Sequence, residues 1–445
     1  MKIIFLRIFL ILSFLSVFSS SIYAQTGATT GSFLIKIKDM QQISIQGATV
    51  TVKQLETGFE KTAQSDASGQ IEFLQLPPGP YTIVAEAENF TSKDYKLFLN
   101  VGINGLITFQ LAPSGTVETI DVIADISMFR TESSTNTTRE RIEELPINRR
   151  GFFTFAITAP RVVPDRLPGF GTAATSGLSF NGLPGRVNNI KTDGLDNIER
   201  GSGSVNTVFS QNSVDEFQVV SDGYSAEFGR SIGGIINIVT KKGGNDLHSS
   251  LFFLNRNDKT SSRDAFATFK PPFSQNQFGL TLSGPIKRDK HFFFSSFERL
   301  TVKQNSIVTI LDSTIAAANR RGFNEANGPA PTSLGTTFFL FRSDFNLSSR
   351  DTLTVRYDGN FSFNSAFDPI GGLTAASNST IQDLSDNGLI INNVYTGNTF
   401  INETRFRLGR RDQKLFSNNP GPQVQLLNPE GRVLLGLFDN GVQNR

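Results

Sequence analysis

The chain has 445 residues and a formal net charge of +2, with 42 Lys and Arg against 40 Asp and Glu, no cysteine and two histidines. Scattered, balanced charge leaves no electrostatic footprint for nucleic acid, and the lack of cysteine excludes disulfides and thiolate metal sites. With only His248 and His291, histidine-based catalysis and a histidine zinc site have little to build on, so neither an enzyme nor a cofactor is expected.

Residues 1–24 carry the first signal. Lys2 and Arg7 precede an apolar run from Ile8 to Phe18, and Ser20 to Ala24 supplies small residues before a cut. That is the layout of a secretory signal peptide, with the mature chain beginning near Gln25. A transmembrane helix needs roughly 20 apolar residues, and Ser13 and Ser16 interrupt this stretch. Nothing later in the sequence is apolar for long enough, so any membrane integration must use strands. The 41 phenylalanines suit many lipid-facing or sandwich-core strand positions.

Residues 25–112 predict a β-sandwich. Ser32–Lys38, Ala48–Lys53, Gln70–Phe73, Tyr81–Ala85, Tyr95–Leu99 and Leu106–Leu111 read as short strands, with turns at Asp66–Gly69 and Pro77–Pro80. Short strands with frequent turn signals point to an all-β sandwich. Residues 113–140 shift to Ser, Thr, Glu and Asn and read as a linker. Within it, Val117-Glu118-Thr119-Ile120-Asp121-Val122-Ile123-Ala124 alternates β-branched residues. Such a piece is either a terminal strand of the sandwich or a strand donated to a partner by β-augmentation.

Residues 141–244 are dense in Gly and Asn, as in a compact domain of turns and short strands. A short helix is expected over Arg139–Leu145, ended by Pro146, and strands over Val214–Val220 and Gly234–Thr240. From 245 onward the pattern changes to alternation over about ten residues. In Thr352–Phe363, Leu353, Val355, Tyr357, Phe361 and Phe363 share one face, opposite Arg356, Asp358 and Asn360. Thr399–Arg410 sets Phe400, Phe406 and Leu408 against Glu403, Arg405 and Arg407. In a membrane barrel the apolar face meets lipid and the charges face a wet interior; a soluble sandwich shows the same alternation with the opposite burial.

Gly169-Phe170-Gly171-Thr172-Ala173-Ala174 imitates a dinucleotide fingerprint, but Pro164 and Pro168 stand where a strand is required. Lys241-Lys242-Gly243-Gly244 lacks a phosphate-cradling loop and reads as a turn at the membrane interface. Asp193 and Asp196, beside glycine and asparagine, read as turn chemistry.

Three blocks together carry a family resemblance. Leu178–Gly182 with Asn188–Asn197 resembles the plug signature of TonB-dependent receptors, through Asn181, Gly182, Asp193 and Gly194. Tyr224–Gly229 with Gly233–Gly243, including Gly233 and Gly234, is similar to the segment where plug gives way to barrel. Gln277–Pro285 with Asp289–Phe294 and Phe297-Glu298 is similar to the first barrel hairpins of the Oar-like branch. That branch also carries an N-terminal carboxypeptidase-regulatory-like domain, which Gly47 to Phe90 resembles. One departure is Pro160-Arg161-Val162, where the family often has Pro-Gly-Val, so a different loop is expected there.

The resulting expectation is a mainly β protein: a signal peptide (1–24), a β-sandwich (25–112), a linker with a TonB box at 117–124 (113–140), a mixed α+β plug (141–244), and the first strands of an antiparallel transmembrane β-barrel (245–445). The resemblance implies energy-coupled uptake across the outer membrane of an unidentified extracellular ligand, with a TonB-type inner-membrane complex and outer-membrane lipid as partners. An adhesin or scaffold on the same barrel, or a soluble secreted sandwich, are the competing readings. Barrels of this type close on about 22 strands. With six to eight ten-residue candidates, the sequence is expected to be a piece of a longer receptor or a truncated gene product.

Overall fold

The computed structural model describes residues 29–90, 93–114, 133–144, 152–165, 177–199, 205–224, 228–263, 269–367, 370–397, 399–417, 422–436 and 443–444. The signal-peptide stretch and residues 117–124 lie outside them.

The first seven strands are β1 (Gly31–Asp39), β2 (Thr49–Gln54), β3 (Glu60–Gln64), β4 (Gln70–Leu76), β5 (Gly79–Glu86), β6 (Lys93–Leu99) and β7 (Asn104–Leu111). They form two sheets, β4-β1-β7 and β3-β2-β5-β6. Alternation drives the packing: Phe33, Ile35 and Ile37 from one sheet meet Val50, Val52, Tyr81 and Ile83 from the other in one apolar core. The Asp66–Gly69 turn closes because Asp66 Oδ1 accepts the backbone N–H groups of Ser68 and Gln70, both at 2.8 Å. Strand β3 was not foreseen; Glu60–Gln64 is polar and half-exposed.

A second body follows. Its strands are β8 (Ser133–Thr137), β9 (Val162–Pro164), β10 (Leu178–Phe180), β11 (Asn189–Thr192), β12 (Leu195–Asp196), β13 (Val214–Asp222) and β14 (Ile235–Thr240), with one short helix, α1 (Arg139–Glu144). Five of them make a mixed sheet in the order β12-β11-β14-β13-β8, and β9 pairs β10. Ser133–Thr137, expected in the linker, is the edge strand of this sheet, antiparallel to β13. Strands β13 and β14 are buried on both faces, which explains why Val214–Val220 and Gly234–Thr240 were legible as apolar runs. Arg161 stands at φ 65°, in the left-handed region that glycine favours.

The third body is an open antiparallel sheet. It consists of β15 (His248–Asn257), β16 (Ser274–Lys287), β17 (His291–Val308), β18 (Gly328–Ser348), β19 (Asp351–Asn364), β20 (Thr380–Thr396) and β21 (Ile401–Ser417). A hairpin of β22 (Val424–Asn428) and β23 (Gly431–Leu435) follows, and β24 (Gln443–Asn444) pairs with β21. Short turns at 288–290, 349–350 and 397–400 lie at one end; the connections 258–273, 309–327 and 365–379 lie at the other. Two of the long connections share a packed core. Val308, Ile310, Ala318, Ala330, Ala375, Val433 and Leu435 form one apolar cluster that joins helix α2 (Asp312–Asn319), the 365–379 connection and the β22–β23 hairpin.

Burial along this sheet separates a barrel wall from a soluble sandwich. Arg356 and Asp358 are 2% and 0% exposed, whereas Phe406 and Leu408 are 54% and 62% exposed. Phe278, Leu280, Phe297, Phe341, Tyr357, Phe361 and Phe363 also face outward. Apolar residues outside and charges inside are the reverse of a water-soluble core and fit lipid as the outer solvent.

Lys241–Gly244 corrects an expectation. It opens the connection from β14 to β15 and carries no turn, and it runs against the sandwich: Lys242 Nζ donates to the Pro78 carbonyl at 2.9 Å.

Candidate plug–wall lock and coupling segment

The Asp-Gly and Asn-Gly pairs of the expected plug motif sit at opposite ends of the central sheet. Asp193 (φ 46°) and Gly194 (φ 77°) form the two-residue link between β11 and β12. Both residues have positive φ, as a type I′ hairpin demands. Asn181 (φ 52°) and Gly182 (φ 79°) turn the chain in the same way between Phe180 and Leu183, and Asn181 Nδ2 donates to the Ser221 carbonyl at 2.8 Å, at the far end of β13. Gly233 and Gly234 lead into β14. A Cβ on Gly234 would lie 1.9 Å from the Phe180 ring, so the hydrogen side chain is what lets β10 pack there.

Asp193 is the centre of a cluster that joins the central body to the wall. Its Oδ1 accepts the Thr240 N–H at 2.9 Å and its Oδ2 accepts the Thr240 hydroxyl at 2.7 Å. From the wall, Arg356 on β19 donates to Oδ2, and Arg342 on β18 stands 3.7 Å from Oδ1. Burial alone would raise the carboxyl pKa, but the two guanidinium groups and the Thr240 bonds outweigh it and hold Asp193 below the ordinary aspartate value. The cations are themselves tied down. Arg342 pairs with Asp344 at 2.9 Å and caps the Thr240 carbonyl at 3.0 Å, and Arg356 pairs with Asp358 at 3.1 Å.

Strand β21 adds a ladder. Arg405 donates to the Gly194 carbonyl at 3.1 Å, Arg407 to the Asp196 carbonyl at 2.6 Å, and Arg411 to the Val205 and Asn206 carbonyls at 3.0 and 2.5 Å. Alternation puts these side chains inward, where they donate to main-chain carbonyls of the central body. On the other side, Ser296 and Ser213 share a hydrogen bond of 2.6 Å, and Phe294 and Leu340 join the apolar core of the central body. Sequence reading sent the inward charges to a wet interior. In the structure they meet protein, and the signal that could have hinted at this is the run of inward arginines at 405, 407 and 411.

The arrangement can anchor a folded body inside a barrel wall. No metal-holding group of His, Asp and Glu occurs among the described residues. Val117–Ala124, expected from the sequence as a coupling segment, lies outside the described residues; β7 ends before it at Leu111 and β8 begins after it at Ser133.

Comparison with known proteins agrees with this geometry. Residues 35–112 match the carboxypeptidase regulatory-like domain and residues 239–333 match an outer membrane beta barrel domain. The chain is 27% identical over 367 residues to the TonB-dependent transporter Oar of Myxococcus xanthus, an alignment covering 74% of this chain and 34% of that protein. The chain thus spans about a third of the length of this curated relative. Among solved structures, the outer membrane transporter YddB from Escherichia coli superposes with a TM-score of 0.52 at 15% identity, covering 69% of this chain and 43% of that one. The siderophore receptor PirA from Acinetobacter baumannii gives 0.47 at 16% identity, over 70% and 43%. The sandwich touches the short-turn end of the wall, with Lys61 Nζ reaching Thr396 Oγ1 at 3.4 Å, and short turns are the periplasmic ones in such barrels. The chain is therefore an outer-membrane β-barrel protein similar to the TonB-dependent transporter Oar, with a carboxypeptidase regulatory-like domain packed at the short-turn end of its wall.

Proposed function

We propose that this chain forms the N-terminal part of an energy-coupled uptake receptor, in which the central body is the plug, bounded near residues 133 and 244, and Val117–Ala124 is the strand offered to a TonB-type partner. The observation that carries the reading is the central body held against a wall with a lipid-compatible outer face through Asp193, Thr240 and the β21 arginines: a body so seated must be moved by work done on it. A segment of alternating β-branched residues immediately upstream is suited to receiving that work by β-augmentation. The ligand is taken from outside the cell and its identity is open. Relatives with transporter and receptor names support uptake rather than catalysis.

The test is a proline at Ile120 or Val122 in the full-length receptor, which removes a main-chain donor and fixes φ without touching either folded neighbour. Uptake should be abolished while ligand binding at the cell surface stays near wild type. Uptake that survives the proline would favour the adhesin or scaffold reading, which has no need of the segment.

A further inference from the structure

One residue of the sandwich lies across the pairing of β8 with β13. Val101 is fully buried but stands outside the sandwich core. Its N–H donates to Glu216 Oε2 at 2.8 Å, and its carbonyl accepts from Asn136 Nδ2 at 3.1 Å and Gln218 Nε2 at 3.4 Å. Asn136 and Gln218 are direct cross-strand partners on β8 and β13, and Asn136 also donates to Glu216 Oε1 at 2.5 Å. The backbone approaches closely, since a Cβ on Gly102 would lie 2.7 Å from Gln218 Nε2. Two residues beyond β8, Arg139 pairs with Glu56 of the sandwich at 3.2 Å and with Asp215 of β13 at 2.6 Å.

We infer that the sandwich is a clamp on β8, and that undocking it is what frees this strand to leave the plug. The reasons are energetic and topological. The apolar cores of the two bodies are separate, so the contact between them is polar and separable, as interfaces between mobile domains are. Strand β8 has five residues and pairs on one side only, at the edge of its sheet. Without the clamp it is held by a short ladder, and short edge strands are the least stable parts of a sheet. The proposed coupling segment lies between the two clamped parts, Val117 standing 16 positions after Val101 and Ala124 standing 12 before Asn136. A pull on it draws on β7 through Leu111 and on β8 through Ser133 at once. Only the direction of that pull rests on the proposed coupling; the clamp itself does not.

The experiment is hydrogen exchange read by mass spectrometry on the full-length receptor in outer-membrane vesicles. One variant, Asn136→Ala with Glu216→Ala, removes the plug side of the clamp; another, Gly102→Ala, pushes the sandwich loop off without altering any plug side chain. In both, exchange over 99–103 and 133–137 should rise together, tenfold or more, while 235–240 keeps its protection. A rise confined to 99–103, or no change in either stretch, overturns the clamp. If the double variant loses protection throughout the plug, Gly102→Ala decides alone, by the same two outcomes. Failure of coupling would show separately, as uptake indifferent to a proline at Ile120 while the paired exchange signature persists.

Discussion

Arg356 on the barrel wall donates to Asp193 in the β11–β12 turn of the central body, joining two residues 163 positions apart in the chain, and both side chains are almost wholly removed from solvent. A buried ion pair broken on one side leaves the other charge without compensation, at a cost of about 3–5 kcal/mol. Asp193→Ala should therefore loosen the plug at its periplasmic end, seen as faster hydrogen exchange over 189–196 and 235–240. Protection equal to wild type would mean that Arg342 and Arg356 find full compensation elsewhere.

The same pair gives a pH dependence of known sign. The folded-state pKa of Asp193 is lowered, so its contribution is complete above the ordinary aspartate range near 4 and is lost as pH falls below it. Plug protection should be flat from neutral pH down to about 5 and fall only below about 4. Asp193→Asn should flatten that acid limb, and an unchanged limb would assign it to other carboxylates.

Much of this was legible beforehand, and the gaps have physical causes. Period-two alternation marks Thr352–Phe363 because each face of β19 meets a different medium. The sandwich strands were legible for a related reason, one face of each being buried. Asp193-Gly194 was legible as a turn, since only such a pair takes positive φ twice without strain, but its charge partners were not, because a contact between residues 193 and 356 leaves no local trace. Ser133–Thr137 is all Ser, Thr and Asn and carries no apolar alternation; it is a strand because β13 offers it an edge. Likewise, nothing in 309–327 or 365–379 foretold a shared apolar cap, which exists only once three connections meet.

Gly194 tests the turn and the ladder together. It has φ 77°, and a Cβ there would lie 2.4 Å from the Arg405 guanidinium carbon. Gly194→Ala should destabilise the β11–β12 hairpin more than the roughly 1 kcal/mol expected of a strained backbone alone, because Arg405 must also withdraw from the carbonyl it caps. Combining it with Arg405→Ala should recover part of the loss. A cycle with purely additive terms would show that the arginine gives way freely.

Tyr81 tests the sandwich by itself. The ring is buried and its hydroxyl donates to the Pro77 carbonyl at 2.8 Å. Burial first, and the Glu56 charge second, push its pKa well above the usual 10. Since the apolar core of residues 33–111 is self-contained, residues 25–112 should fold alone as a soluble domain. Tyr81→Phe should cost it about 1 kcal/mol, read by urea denaturation. The wild-type domain should also lose stability as pH rises through 10, where the unfolded phenol ionises and the folded one does not; Tyr81→Phe should remove that share of the alkaline loss.

The last prediction sets two neighbours on β21 against each other. Leu408 faces outward, opposite Leu389 on β20, while Arg407 faces inward to the Asp196 carbonyl. If the outer solvent is lipid, Leu408→Arg places a charge in hydrocarbon at a cost of about 2–4 kcal/mol near the midplane. Folded, heat-modifiable receptor in outer-membrane fractions should then fall, with the plug contacts untouched in whatever does assemble. Arg407→Leu should do the reverse. The wall assembles normally, but the Asp196 carbonyl and Asn197 side chain lose their donor, so exchange over 195–207 accelerates. On a water-soluble sandwich the expectations invert: a 62%-exposed leucine replaced by arginine is neutral or improves solubility. Normal assembly of Leu408→Arg would therefore remove the lipid-facing reading of this sheet, whatever the plug does.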